Sequence, residues 1–188
     1  MSWDSIIRRY NAELANDFGN LVNRASTLAS RAFGEDAPAP RAAGESPLAA
    51  EWESARRKSE EAMNALALHE WIGSLWEFVG AANRYVDAEK PWELVKAAKA
   101  GDAEARARLA GVIGDLLEAC RLVALYAAPV IPTVSEKIWK LLGHQWPYDA
   151  SGHGSTPRSD LAGWGSATRS GPLGEPTPLF PRLDADEP

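Results

Sequence analysis

Residues 3–32 read WDSIIRRYNAELANDFGNLVNRASTLASRA. Ile7, Leu14, Leu21 and Leu28 recur there, with Phe18 and Ala25 between them. Apolar residues at that spacing draw one stripe along an amphipathic α-helix. Ser2 or Asp4 is placed to cap its start. The next residues, 34–47, are rich in Pro, Gly and Ala and read as a loop.

Helical patterning then resumes. A second helix is expected from about Leu48 to Leu68, and a third from about Glu70 to Ala88 with Leu75, Val79, Ala82 and Val86 as its stripe. Lys90-Pro91-Trp92 breaks that helix. Pro91 suits the first turn of a short following helix through Ala98, where its missing N–H costs nothing. Gly101-Asp102 punctuates again, and Asp102 is a plausible N-cap. A long helix follows to about Ala128, where Pro129 and Pro132 stop it. A last helix from Thr133 to Leu142 ends at Gly143. No segment reads as a strand. The expected fold class is all-α, a helical bundle of about five helices with an irregular C-terminal tail. The division is residues 1–143 as bundle and 144–188 as a tail rich in Gly, Pro and Ser. That tail holds Trp146, Tyr148, Trp164, Leu179 and Phe180, which a purely solvated linker would not need. It should pack on the bundle or on another domain.

At 188 residues, 45% hydrophobic and 24% charged, the chain suits one globular domain with a real core. No run of 18 apolar residues would span a membrane, and no secretory leader is recognisable. Cys120, the single cysteine, sits in the apolar series of Leu116, Leu117 and Leu122, as a buried thiol would. These features favour a cytoplasmic protein. The net charge of −6 does not suggest nucleic acid, but an RNA site needs only a local basic patch. Much of the acid lies elsewhere, at Glu51, Glu53, Glu60, Glu61, Asp184, Asp186 and Glu187.

The chemistry of catalysis is missing. His69, His144 and His153 are far apart, without Cys or His at metal-ligand spacing. There is no glycine-rich phosphate loop and no Gly-x-Ser-x-Gly elbow. Glu60-Glu61 and Asp186-Glu187 read as solvated charge. The expected catalytic and metal-binding sets are both empty.

Two polar clusters stand out. Asn16, Asn20 and Arg24 are spaced four residues apart and share one helix face. At about 100° per residue, Asn20 and Arg24 lie roughly 80–120° from the centre of the apolar stripe. Amides and a guanidinium can read base edges and hold phosphates, yet on spacing alone a solvated flank is the plainer reading. The second cluster is Asn83-Arg84-Tyr85-Val86-Asp87 followed by Lys90-Pro91-Trp92. Trp92, just past a helix break, could offer its ring to an unpaired base. It could equally plug the helix junction from inside.

The runs from Tyr10 through Arg24 and from Asn83 through Trp92 together resemble the anticodon-binding domain of methionine–tRNA ligases, a class I aminoacyl-tRNA synthetase family. The close Leu179-Phe180-Pro181-Arg182 is similar too, whereas residues 34–47 match nothing recognisable. The resemblance implies that Asn20, Arg24, Asn83 and Trp92 contact a CAU anticodon, with Pro91 shaping the turn. Asn16 and Arg84 would be flanking contacts. The implied partners are the anticodon stem-loop of tRNA(Met) and the ligase's catalytic domain. No His-Ile-Gly-His or Lys-Met-Ser-Lys-Ser type motif is present, so no cofactor is expected in this chain; ATP and methionine would bind the catalytic domain it lacks. Two other functions compete: a free-standing paralogue binding tRNA for another purpose, and a helical protein-interaction module that has lost RNA binding.

Overall fold

A computed structural model describes residues 2–148 and 159–183. His153, the charged end from Asp184 to Glu187 and the tail between 149 and 158 lie outside the described residues. The elements are α1 (Trp3–Arg9), a π-helical segment (Tyr10–Gly19), α2 (Asn20–Phe33), α3 (Pro47–Asn64), α4 (Leu68–Glu89), α5 (Pro91–Lys99), α6 (Ala103–Ala127), α7 (Pro132–Leu141) and a short 3₁₀ turn at Ser159–Leu161. Among the described residues there is no strand, and the fold is all-α.

Helix α6 organises the rest. Asp102 caps it, its carboxylate accepting from the Ala105 N–H at 2.9 Å. From Val112 to Ala127 every residue is buried, as befits a helix that is apolar on nearly all sides. Helices α2, α4, α5 and α7 pack on it, and α3 lies chiefly against α4. Trp52, Phe78 and Tyr126 interlock where α3, α4 and α6 meet, with ring centroids 5.0 and 5.2 Å from Trp52.

Three charges sit inside the buried part of α6, and each anchors an irregular segment. Asp115 receives the loop between α2 and α3. Its carboxylate accepts from the backbone N–H of Arg41 (2.9 Å), from the Arg41 guanidinium, and from the Ser46 hydroxyl (2.6 Å). The loop can come this close because α6 has glycine at 111 and 114. A Cβ at Gly114 would be driven into the Ala39 carbonyl. Glu118 and Arg121 receive the tail. They pair with each other at 2.6 Å, both buried. Glu118 accepts from the Gly165 N–H, and Arg121 donates to the Leu161 carbonyl at 2.8 Å. The Arg121 guanidinium also lies over the Trp139 ring, 5.4 Å from its centroid. A buried pair whose remaining polar atoms find partners avoids the cost of a charge stranded away from water.

The described part of the tail therefore lies on the bundle. Arg169 donates to the carbonyls of Ala37 and Pro38, tying tail to loop. Farther on, Phe180 is buried against Tyr10 and Phe18. The Asn11 side chain exchanges two hydrogen bonds with the Leu183 backbone, at 2.8 and 3.0 Å.

One expectation changes. The first helix is a single rod but not a regular one, because residues 10–19 are π-helical. Two α4 side chains donate to carbonyls of that segment: Trp76 Nε1 to Glu13, and Asn83 Nδ2 to Asp17, both at 3.3 Å. Side chains inserted on a helix ladder are a recognised cause of such local widening. The seven-residue stripe is displaced in consequence. Leu14 and Leu28 are only half-buried, and Phe18, Leu21, Val22, Ala25 and Ala29 carry the core.

Candidate nucleic-acid interface

Three elements meet at one corner of the bundle. Helix α2 begins with Asn20 and carries Arg24, α4 ends with Asn83 and Asp87 in its last two turns, and α5 opens on Pro91 and Trp92. A single residue, Lys90, joins α4 to α5 with φ of 44°. That left-handed conformation is uncommon for a residue with a Cβ, and it turns the chain abruptly. Pro91 is buried and fixes the first turn of α5. The next position is thereby thrown outward, leaving Trp92 40% exposed.

Arg24 bridges the corner. Its guanidinium carbon lies 5.7 Å from the centroid of the Trp92 ring. Its Nη2 donates to Asp87 Oδ1 at 3.2 Å, with the two side chains 38% and 70% exposed. An ion pair this exposed is worth about 0–1 kcal/mol, and an exposed cation–π contact about 0.5–1 kcal/mol. Arg24 is thus held near the ring by forces that a competing ligand could replace. Asn20 is exposed and makes no side-chain hydrogen bond among the described residues. Asn83 is half-buried, its amide nitrogen tied to the Asp17 carbonyl. Just inside the corner, burial raises the Tyr85 phenol well above its ordinary range, so it stays protonated, and its oxygen accepts from Arg41.

Arg24, Asp87 and Trp92 thus meet, with Pro91 beside Trp92, and Asn20 and Asn83 lie one turn before Arg24 and Asp87 on the same faces of their helices. Asn16 and Arg84 have other neighbours. The Asn16 amide oxygen accepts from Arg182 of the tail at 2.8 Å. Arg84 lies about 100° around α4 from Asn83 and lines a groove toward α3 with Glu51, Ser54, Lys58 and Glu77. Asp87, quoted in the second cluster but given no role there, holds Arg24. The available signal was its position, four residues after Asn83 on the same flank of α4.

An exposed aromatic face beside a guanidinium and two amides can stack a planar ligand and hydrogen-bond its edge. The corner is open rather than enclosed. A cavity of about 460 Å³ lies elsewhere, between the loop and the tail, lined by Arg41, Glu118, His144, Trp164 and Arg169 among others. His144 is held neutral there: burial lowers its pKa to about 4, with the Arg121 charge acting in the same direction. Burial also raises the Cys120 thiol far above its usual range, leaving it unreactive. Among the described residues no group of His, Cys, Asp or Glu is arranged to hold a metal ion, and no helix is long and apolar enough to cross a membrane.

Comparison with known proteins bears on this corner. Residues 37–156 match the model of the anticodon binding domain of methionyl tRNA ligase. That match takes in Asn83, Pro91 and Trp92; Asn20 and Arg24 precede it. A methionine–tRNA ligase of Streptomyces coelicolor is 33% identical over 190 residues, which take in 97% of this chain and 34% of the relative. The Nostoc ligase is 31% identical over 182 residues, 93% of this chain and 32% of its own length. The ligand-free methionyl-tRNA synthetase of Mycobacterium tuberculosis superposes with a TM-score of 0.80 at 27% identity, over 98% of this chain and 35% of its own. The chain thus spans about a third of the length of these relatives. It belongs to the family of methionyl-tRNA ligase anticodon-binding domains.

Proposed function

We propose that this chain binds tRNA bearing a CAU anticodon and serves as the tRNA-recognition part of a methionine–tRNA ligase. The observation that carries the reading is the meeting of Arg24, Asp87 and Trp92 at one exposed corner, from three separate elements, with Asn20 and Asn83 one turn away on the same helix faces. Trp92 is the stacking platform for an unpaired base. In the free chain its neighbour is the Arg24 guanidinium. An incoming base takes that place, and Arg24 turns from Asp87 to the base edge or its phosphate. The amides of Asn20 and Asn83 supply the donor and acceptor pairs that distinguish one base from another.

Activation of methionine falls to a separate catalytic domain, with which this domain works and which would bind ATP and methionine. No cofactor is assigned to this chain, and its setting is the cytoplasm. Titration of the chain with tRNA carrying CAU, against the same tRNA with a different anticodon, tests the assignment. Equal affinity for both would favour the reading as a helical module without anticodon recognition.

A further inference from the structure

In a protein of net charge −6, cations without a carboxylate partner are informative. Nine of the described Lys and Arg side chains form ion pairs with Asp or Glu. The other ten form none; among them Arg31, Lys96 and Lys99 lie together on α2 and α5, and all three are exposed.

These three are aligned with the Arg24–Trp92 corner. Lys96 and Lys99 lie four and seven residues beyond Trp92, on the same face of α5. Arg31 lies seven residues beyond Arg24, on the same face of α2. The two helices are in contact. At one end Arg24 lies over Trp92. At the other, Arg106 in the first turn of α6 lies over Phe33, the last residue of α2, 5.4 Å from its centroid. Each seven-residue step advances roughly 10 Å at 1.5 Å per residue, so Arg31 and Lys99 lie equally far along their own helices from Arg24 and Trp92. Glu93 is paired with Lys90 and Asp102 caps α6; Glu35, Asp36 and Glu104 are the other carboxylates near in sequence, and none of them pairs with the three cations.

We propose that Arg31, Lys96 and Lys99 form a phosphate track that leads away from the Trp92 platform and carries the sugar–phosphate backbone of the stem adjoining the recognised anticodon. This rests on the RNA-binding reading above and extends it. Phosphate contacts fix register and orientation and carry no base identity. The track therefore supplies affinity and the corner supplies choice.

The test is the salt dependence of tRNA binding. The full chain and an Arg31→Ala/Lys96→Ala/Lys99→Ala variant are titrated with CAU-bearing tRNA between 50 and 200 mM salt, after melts confirm that both are folded. Three lost phosphate contacts should reduce the slope of log affinity against log salt by about 2 to 3. Over that fourfold salt range the wild-type chain should lose roughly 16- to 64-fold more affinity than the variant. The ratio of affinities for CAU and altered anticodons should not change. A control variant, Arg57→Ala/Lys137→Ala, removes two exposed cations from α3 and α7 and should keep the wild-type slope. A track variant with the wild-type slope, or a control that loses as much slope as the track variant, would overturn the track while leaving the anticodon reading intact. A wild-type chain that binds no tRNA would overturn both.

Discussion

Replacing Trp92 with alanine separates the two roles that a tryptophan at this corner could have. As a stacking platform, its loss should weaken binding of CAU-bearing RNA by about 1–3 kcal/mol, which is roughly 5- to 150-fold in affinity. Removing a fully buried tryptophan costs about 3–5 kcal/mol of stability. With 40% of the residue already exposed, scaling by the covered fraction puts the stability cost at no more than about 2–3 kcal/mol. An open corner leaves no closed cavity, and the cation–π contact with Arg24 accounts for about 0.5–1 kcal/mol of that. Denaturant melts of wild type and variant give the stability term. Titrations at one fixed salt concentration give the binding term, since affinity varies steeply with salt. A Trp92→Phe variant, which keeps a ring, should fall between. The platform would be refuted by a folded Trp92→Ala chain that binds with wild-type affinity. It would equally be refuted by one that loses the full stability of a core tryptophan.

Arg121→Ala should destabilise the fold by about 3–5 kcal/mol, because it strands the buried Glu118 carboxylate; a loss below about 1 kcal/mol in denaturant melts would contradict that account of the tail anchor. His144 gives a pH signature. Its folded pKa lies near 4 against 6.5 for the unstructured residue, so the unfolded chain takes up the proton first as pH falls. The stabilisation is present above pH 6.5 and is lost progressively toward pH 4, up to ~3 kcal/mol at 1.36 kcal/mol per unit. A His144→Phe variant should lose less stability than wild type between pH 7 and pH 4, and parallel curves would show that the imidazole is not protected. The isolated chain should catalyse no methionine-dependent exchange of pyrophosphate with ATP, since catalysis needs preorganised groups at the phosphates and its sequence has neither a His-Ile-Gly-His nor a Lys-Met-Ser-Lys-Ser type motif; exchange above background, with contaminating ligase excluded, would refute this.

The parts legible in the sequence are those set by local physics. The Asp102 cap, Pro91 in a first helical turn and the Gly143 stop each act within a few residues, and each lies where its neighbours suggested. The parts that were not legible depend on distant partners. The π-helical segment is held by Trp76 and Asn83, more than 60 residues away, and nothing between Tyr10 and Gly19 announces it. The loop of residues 34–46 was recognisable as a loop, but its lock on Asp115 spans 74 residues. Phe180 looked like a residue needing a partner, and its seat against Tyr10 and Phe18 lies at the far end of the chain. At the candidate site, spacing placed Asn20, Arg24 and Asn83 on the flanks of apolar stripes. The meeting of Arg24 with Trp92 is tertiary, and only resemblance to a family anticipated it. Asp87 was given no role because a carboxylate beside an RNA site is not a feature that charge alone would select.

The most direct measurement is a pair of titrations at fixed salt with one tRNA body, bearing CAU or an altered anticodon. Each well-paired base edge is worth about 1–3 kcal/mol of discrimination, so the chain should bind the CAU form at least roughly fivefold more tightly. Arg24→Ala should narrow that gap if the guanidinium meets a base edge, and should weaken both forms alike if it meets only phosphate. Equal affinity of the wild-type chain for both tRNAs would contradict the assignment of the corner as the anticodon reader.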